Sequence, residues 1–349
     1  MPDLVTLKSK VTPEIAAEKY NMDVHFRVRE ILTDVRIPYE WHIILFNKIS
    51  QNYLQDYDLV INHNNTSFLY KRPEAQKMVS YVHFPRKARG ISNAVSIHRP
   101  NGPKKKWYHF RSDAFKLSSL AYRFDTAVDP EERYLANSEY TKQVLLDHYD
   151  LPSDQIEVLY PPVGINGEMG SAKKDESLII TLGRFSPEKR QLEQLKIARK
   201  LPQLNFKIMG FLSNQDYFRR CIDYLNDHQI KNAELMPNLP YDTLMKILDR
   251  AGLFLHSLQN EPFGITTVEA ISHGCIPIVP DSGGQKEIVP IEELRYGSSS
   301  EAVKLIAKAA KKSEEEKDRL RNHLFEGIRQ FETPNFEEQF NNLLNQVLK

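Results

Sequence analysis

Cysteine is almost absent from this sequence: 349 residues carry only Cys221 and Cys275. Neither stands in a metal-ligand spacing, which argues against a disulfide framework or a zinc site and favours a reducing compartment. No apolar run approaches the ~18 residues that cross a bilayer, and the opening PDLVTLKSK lacks the apolar core of a secretory leader. We therefore expect a cytoplasmic protein in which the sequons at Asn64 and Asn65 go unused. Neither sign of charge dominates, since 47 basic and 46 acidic residues leave a net +1; a nucleic-acid partner is not expected. A strand–GxGxxG–helix fingerprint is also missing, which sets aside a dinucleotide-dependent oxidoreductase. Glycine is lacking before Gly90, and no acid occurs from Arg86 to Arg111.

What is present gathers in the second half. The run NEPFGITTVEA, residues 260–270, sets Glu261 and Glu269 eight positions apart around a Pro-Phe-Gly turn. Residues 265–273 read as a helix with Glu269 about one turn inside it, so both carboxylates can face what the helix N-terminus faces. Free N–H groups and the positive dipole end at such a terminus attract anions. Those amides beside two hydroxyl-accepting carboxylates suit a sugar nucleotide; a plain helix with one acid at its start and one in solvent is the alternative.

Upstream, ESLIITLGRFSPEKR reads as a buried strand, 178–182, ending at Gly183, with Arg184 and Lys189 in the loop that opens a helix. Two cations at a strand's carboxyl end suit a diphosphate. Downstream, HGCIPIVPDSGGQKEIV gives an apolar strand, 275–279, and then Gly283-Gly284, where backbone can approach a ligand without Cβ interference. A solvated charge pair and an ordinary turn would explain either alone, and their order along the chain joins them into one site.

Length suggests about two domains. Strand and helix patterns alternate, which predicts parallel sheets covered by helices on both faces. Expected strands lie at 41–45, 58–62, 79–83 and 133–136, and then at 178–182, 206–209, 253–257 and 275–279. Ser138 is a helix cap residue, a helix is expected over 241–249, and Thr333-Pro334 opens a last one. Residues 161–177, rich in Pro, Gly, Ser and charge, read as a linker. The Asp56-Tyr57-Asp58 triad resembles a metal-binding pattern, but Asp58 enters an apolar strand and reads as a strand boundary.

GRFSPEKR, EPFGITTVEA and SGGQKEIV together resemble the donor half of the family-4 retaining glycosyltransferases, over roughly residues 130–349. YLANSEYTKQVL and IEVLYPPV resemble family segments just before the interdomain linker. The resemblance implies the GT-B fold, two Rossmann-like doubly wound α/β domains facing across a cleft. The first would cover 1–165 and the nucleotide-sugar-binding one 178–330, with a terminal helix, 331–349, crossing back. It also implies retaining, metal-independent transfer of a hexose from a nucleotide sugar to a glycan or polyprenyl-linked acceptor, with no cofactor besides the co-substrate.

By the same resemblance Glu261 holds hexose hydroxyls and Glu269 ribose hydroxyls, among the donor-binding residues Gly183, Phe263, Gly264, Ile265 and Thr266. Arg184 and Lys189 neutralise the diphosphate, and His83 matches the family histidine that reaches the hexose or acceptor from the opposite side. His83, Glu261, Arg184 and Lys189 form the expected catalytic set. YVHFP, ANSEYTKQVLL and VLYPPV are similar to the mannosyltransferases that extend dolichol-linked oligosaccharides, so GDP-mannose leads as donor and UDP-glucose follows.

The acid-free stretch contains Arg86, Lys87, Arg89, Lys104, Lys105, Lys106 and Trp107. It suits an anionic membrane surface or an acceptor phosphate, and a solvated loop is the alternative. One departure from the family is plain: its opening strand and glycine-rich loop have no counterpart, and DLVTL resembles the family's second strand. Either the chain starts one strand-helix unit late, with a partner chain able to supply the unit, or the loop is replaced. That departure motivates a rival reading, a catalytically silent GT-B subunit that binds nucleotide sugar or a partner transferase.

Overall fold

The computed structural model describes residues 3–6, 13, 27–30, 49–50, 52–63, 73–85, 132–165, 168–170 and 172–349. The chain forms two compact units, one holding residues 1–81 and 100–134, the other 82–99 and 135–347. The expected strand at 41–45 and the basic stretch beginning at Arg86 lie outside the described residues.

In the first unit β1 (Asp3–Thr6) pairs in parallel with β2 (Arg27–Glu30), and β3 (Leu59–Asn62) with β4 (Lys77–Val82), Val60 opposite Met78. Buried polar groups here satisfy one another. The Asn62 amide donates to Ser80 Oγ at 2.7 Å, the Ser80 hydroxyl donates to Glu132, and the Tyr134 hydroxyl reaches Glu132 Oε2 at 2.7 Å. Such pairing is what lets polar side chains sit beside an apolar strand.

Strand β5 (Arg133–Ala136) leads into α1 (Glu139–His148) and then β6 (Ile156–Val158). Ser138 caps α1 as expected, accepting the Thr141 amide at 2.9 Å. The next free amides of the helix, those of Glu139 and Tyr140, are taken at 2.9 Å each by the Glu287 carboxylate, which also accepts the Tyr160 hydroxyl. A carboxylate far along the chain thus completes the cap of an early helix.

The second unit is built on six parallel strands: β7 (Asp175–Leu182), β8 (Asn205–Gly210), β9 (Ala233–Pro237), β10 (Ala251–Leu255), β11 (Ile276–Pro280) and β12 (Arg295–Tyr296). Their spatial order is β12-β11-β10-β7-β8-β9. Helices α2 (Gln191–Arg199), α3 (Gln215–Asp227), α4 (Tyr241–Arg250), α5 (Ile265–Ser272), α6 (Gln285–Ile288) and α7 (Ser299–Ala310) alternate with them; α8 (Glu314–Ile328) and α9 (Thr333–Val347) follow. Every residue of β10 and β11 is buried, the pattern of parallel strands covered on both faces.

The chain enters this sheet at β7, steps outward to β8 and β9, returns to β10 on the other side of β7, and steps outward again. The loops leaving β7 and β10 therefore diverge, and a crevice opens at the carboxyl ends of these two strands. Strand β7 starts at Asp175, inside the stretch expected to be linker, because Asp175 pairs with Ala251. The strands β6, β9 and β12 are too short or too polar to stand out in the sequence.

At the amino end of β7, Glu176 meets Arg321 and, at 3.2 Å, Lys317, both on α8 and only 4% and 3% exposed. Arg321 Nε also donates to the Gly274 carbonyl at 3.0 Å. Lys317 also pairs with Glu314 and Arg321 with Asp318, each at 3.0 Å, but those carboxylates are exposed; without the shielded one that both cations share, Glu176→Leu is expected to lower unfolding free energy in urea by up to about 3–5 kcal/mol. The triple variant with Lys317→Met and Arg321→Met should recover most of it. A loss below about 1 kcal/mol, typical of an exposed pair, would overturn this account.

Candidate functional site

The loop after β7 turns through Gly183 and Arg184 into a single 3₁₀ turn, Pro187–Lys189, and Arg190 then takes left-handed backbone (φ 56°) to start α2. Its partner is the loop after β10. The two are stitched together by Gln194, which accepts the Thr181 hydroxyl at 2.9 Å and donates to Ser257 Oγ at 2.7 Å, and by Ser257 Oγ, which donates to the Lys189 carbonyl at 2.9 Å. The divergent loops of the switch point are in this way held in register with each other.

Across that seam Lys189 Nζ donates to Glu261 Oε2 at 2.7 Å, and His256 Nε2 lies 3.2 Å from the same oxygen. Burial by itself would raise the Glu261 carboxyl; His256 and Lys189 outweigh it and bring the group down to about 2. Burial lowers the His256 ring, with Glu261 pulling the other way, so the imidazole is neutral at neutral pH. Its main chain is fixed at both ends, the N–H donating to Ile278 and the carbonyl accepting the Tyr296 hydroxyl at 2.6 Å.

The Asn260–Phe263 turn rests on Gly283 and Gly284. Gly283 has φ +67°, and a Cβ there would stand 2.5 Å from the Glu261 carbonyl; at Gly284 it would stand 2.4 Å from the Pro262 carbonyl. The Gly284 N–H donates to the Glu261 carbonyl at 2.8 Å, and the Ser138 hydroxyl donates to that of Pro262 at 2.5 Å. The close backbone approach expected at this glycine pair is thus made by the protein's own turn, which carries Glu261. Phe263 is 2% exposed, packed edge-on against Phe331 at 5.0 Å and near Tyr160, so its ring anchors the turn from inside the core.

Gly264 (φ +120°) opens α5 with no capping side chain, and its carbonyl accepts the Thr267 amide. The Ile265 and Thr266 amides have no acceptor among the described residues. Glu269, half-buried, has no side-chain partner among them either, and burial pushes it up to about 6. Arg184 is largely exposed and pairs with Glu188 at 3.4 Å. It lines a pocket of about 410 Å³ with Gly183, Gly210, Phe211, Asn238 and Leu239, where β7, β8 and β9 end. His83 follows β4 and is exposed. Arg86, Lys87, Arg89, Lys104, Lys105, Lys106 and Trp107 lie outside the described residues.

Lys189 and Glu261, 72 positions apart, are therefore in direct contact. Sequence reasoning missed His256, Ser257, Gln194 and Glu287. Only His256 left a trace, as a polar residue at the end of an apolar strand, the same position type that drew attention to His83.

The raised Glu269 carboxyl fixes a sign. Its neutral form favours the folded state, so that contribution is complete below the ordinary value of 4.5 and is lost as pH rises through about 6. Glu269→Gln should gain on the unsubstituted protein over this window, by at most about 2 kcal/mol at pH 7. Urea midpoints at pH 4.5 and 7 check it, and an equal difference at both would refute it.

The family described as Glycosyl transferases group 1 matches residues 168–331. A human protein named GDP-Man:Man(3)GlcNAc(2)-PP-Dol alpha-1,2-mannosyltransferase is 25% identical over 319 residues, covering 80% of this chain and 63% of that protein. Its Xenopus tropicalis namesake is 30% identical over 192 residues, 50% of this chain and 39% of the other. The chain thus spans less than two thirds of these relatives' length. Among solved structures, a Rickettsia africae glycosyltransferase superposes with TM-score 0.66 at 14% identity, covering 100% of this chain and 90% of the other. The Anabaena protein HepE, solved with UDP and glucose, gives 0.67 at 15% identity, with 98% and 91% covered. Residues 168–331 of this chain thus match a group 1 glycosyl transferase domain, and the chain has the GT-B fold.

Proposed function

We propose that the chain transfers a hexose from a nucleotide sugar to a glycan or lipid-linked acceptor with retention of anomeric configuration, mannose from GDP-mannose first and glucose from UDP-glucose second. The observation that carries this reading is the Lys189–Glu261 contact at the switch point, beside unpaired helix amides and an unpaired carboxyl at Glu269. The relatives' names favour mannose and a dolichol-linked acceptor.

The chemistry follows from where charge grows. As the bond between the sugar's C1 and the phosphate oxygen lengthens, negative charge gathers on the diphosphate, within reach of Lys189, Arg184 and the Ile265 and Thr266 amides. These groups make the diphosphate a good leaving group without a metal ion. Glu269 accepts ribose hydroxyls, and Glu261 accepts hexose hydroxyls and orients the sugar. The acceptor hydroxyl then attacks C1 from the face the phosphate leaves. Its proton passes to the departing phosphate oxygen, giving the glycoside and a nucleoside diphosphate. His83 steadies the oxocarbenium-like sugar or the acceptor. The basic residues from Arg86 to Trp107 would hold the protein at an anionic membrane surface or grip an acceptor phosphate.

A thermal-shift panel of GDP, UDP, GDP-mannose and UDP-glucose, with chelator present, tests the donor site, since a ligand of the native state raises Tm. GDP-mannose is expected to give the largest shift, and its affinity to rise as pH passes about 6, where Glu269 ionises. Glu269→Gln should lose that pH dependence, and Lys189→Ala should cut turnover by about 100-fold or more. No shift with any of the four would sink the reading, and binding without turnover would favour the silent-subunit alternative.

A further inference from the structure

Glu261 Oε2 has two neighbours of very different freedom. Lys189 makes a well-formed hydrogen bond to it, yet its stem lies over Gly183, 3.6 Å from where a Cβ would stand, and its side chain is 22% exposed. His256 is 4% exposed and pinned through its main chain to Ile278 and Tyr296. Its Nε2, although 3.2 Å from Oε2, points off the line of a hydrogen bond and has no other partner. A buried ring nitrogen left in that condition carries a desolvation cost that a better-aligned state would relieve.

A diphosphate is a stronger partner for an ammonium group than a single carboxylate, because it concentrates more negative charge. A donor in the crevice would draw Lys189 away from Glu261 and leave a carboxylate, largely shielded from water, in need of another donor. The only other polar side chain recorded beside Oε2 among the described residues is His256.

We propose that His256 is a positioning residue of the donor site: when Lys189 turns to the diphosphate, the His256 ring N–H takes over Glu261 Oε2 and holds that carboxylate in place for the hexose. This rests on the donor-site reading above. A neutral ring suits the task, since it donates a hydrogen bond without competing for the diphosphate as another cation. No covalent step is involved, only the exchange of one donor for another at the same oxygen.

The exchange can be tested with and without donor. In the ligand-free protein Lys189→Met imitates the departure of the lysine. The double variant Lys189→Met/His256→Leu is expected to lose more Tm than the two single variants added together, because it alone leaves the carboxylate without a donor. Replacing His256→Leu by His256→Gln, whose amide can reach the same oxygen, should restore additivity. Additive losses in the leucine series would overturn the proposal.

With GDP-mannose as substrate, His256→Leu is expected to lower kcat by about 10-fold, to leave GDP affinity unchanged, and to be rescued in large part by His256→Gln. A leucine variant with unchanged kcat, or one whose loss glutamine does not repair, would equally overturn it. Failure of the unsubstituted protein to bind GDP-mannose or UDP-glucose would strike the donor-site reading instead, and the stability comparison would still decide the role of His256.

Discussion

An ionised carboxylate held largely out of water is unstable unless donors surround it, and Glu261 is such a group. Its two neighbours come from separate strand ends, Lys189 from the loop after β7 and His256 from the end of β10. That requirement brings together the two loops that the sheet order sends apart. Gln194 and Ser257 stitch the same seam with neutral hydrogen bonds, so the contact does not depend on charge alone. The crevice between β7 and β10 is consequently where Lys189, His256 and Glu261 meet, with α5 starting four residues after Glu261.

The turn carrying Glu261 is fixed from three directions. Gly283 and Gly284 let its backbone lie against the following loop, Ser138 donates to it from the cap of α1, and Phe263 anchors it in an aromatic cluster with Tyr160 and Phe331. Glu287 ties α1 and Tyr160 into the same assembly. Glu269, in contrast, emerges from α5 without a side-chain partner among the described residues, and burial leaves its carboxyl easy to protonate. One glutamate of the pair is thus preset and charged, while the other stands without a side-chain partner among the described residues.

Strand β7 has a charge cluster at each end and they obey different logic. Near its amino end Glu176 is enclosed by Lys317 and Arg321, which join α8 to the sheet. Beyond its carboxyl end Arg184 stays exposed beside an open pocket and Lys189 is only partly covered. Cations that are fully paired hold the fold together; cations left accessible can change partners. The same strand thus has buried, paired charges at one end and accessible ones at the other, the carboxyl end where open α/β sheets generally bind their ligands.

The sequence by itself determined the elements and the chemical inventory of the second unit. Apolar runs bounded by Gly and Pro marked β7, β8, β10 and β11, and Ser138, Thr333-Pro334 and the Pro-Phe-Gly turn before Ile265 marked helix starts, because these signals are local. The tertiary structure alone decided which groups meet. Strand order turned the β7 and β10 loops toward one crevice, paired Lys189 with Glu261 and placed His256 beside them. It also gave Gly283 and Gly284 to the protein's own turn and Glu287 to the cap of α1. Apart from His256 beside Glu261, five residues on, those contacts span tens to more than a hundred residues of chain, and no periodicity or propensity along the sequence encodes them. They exist because parallel strands bring distant loops to the same edge of the sheet.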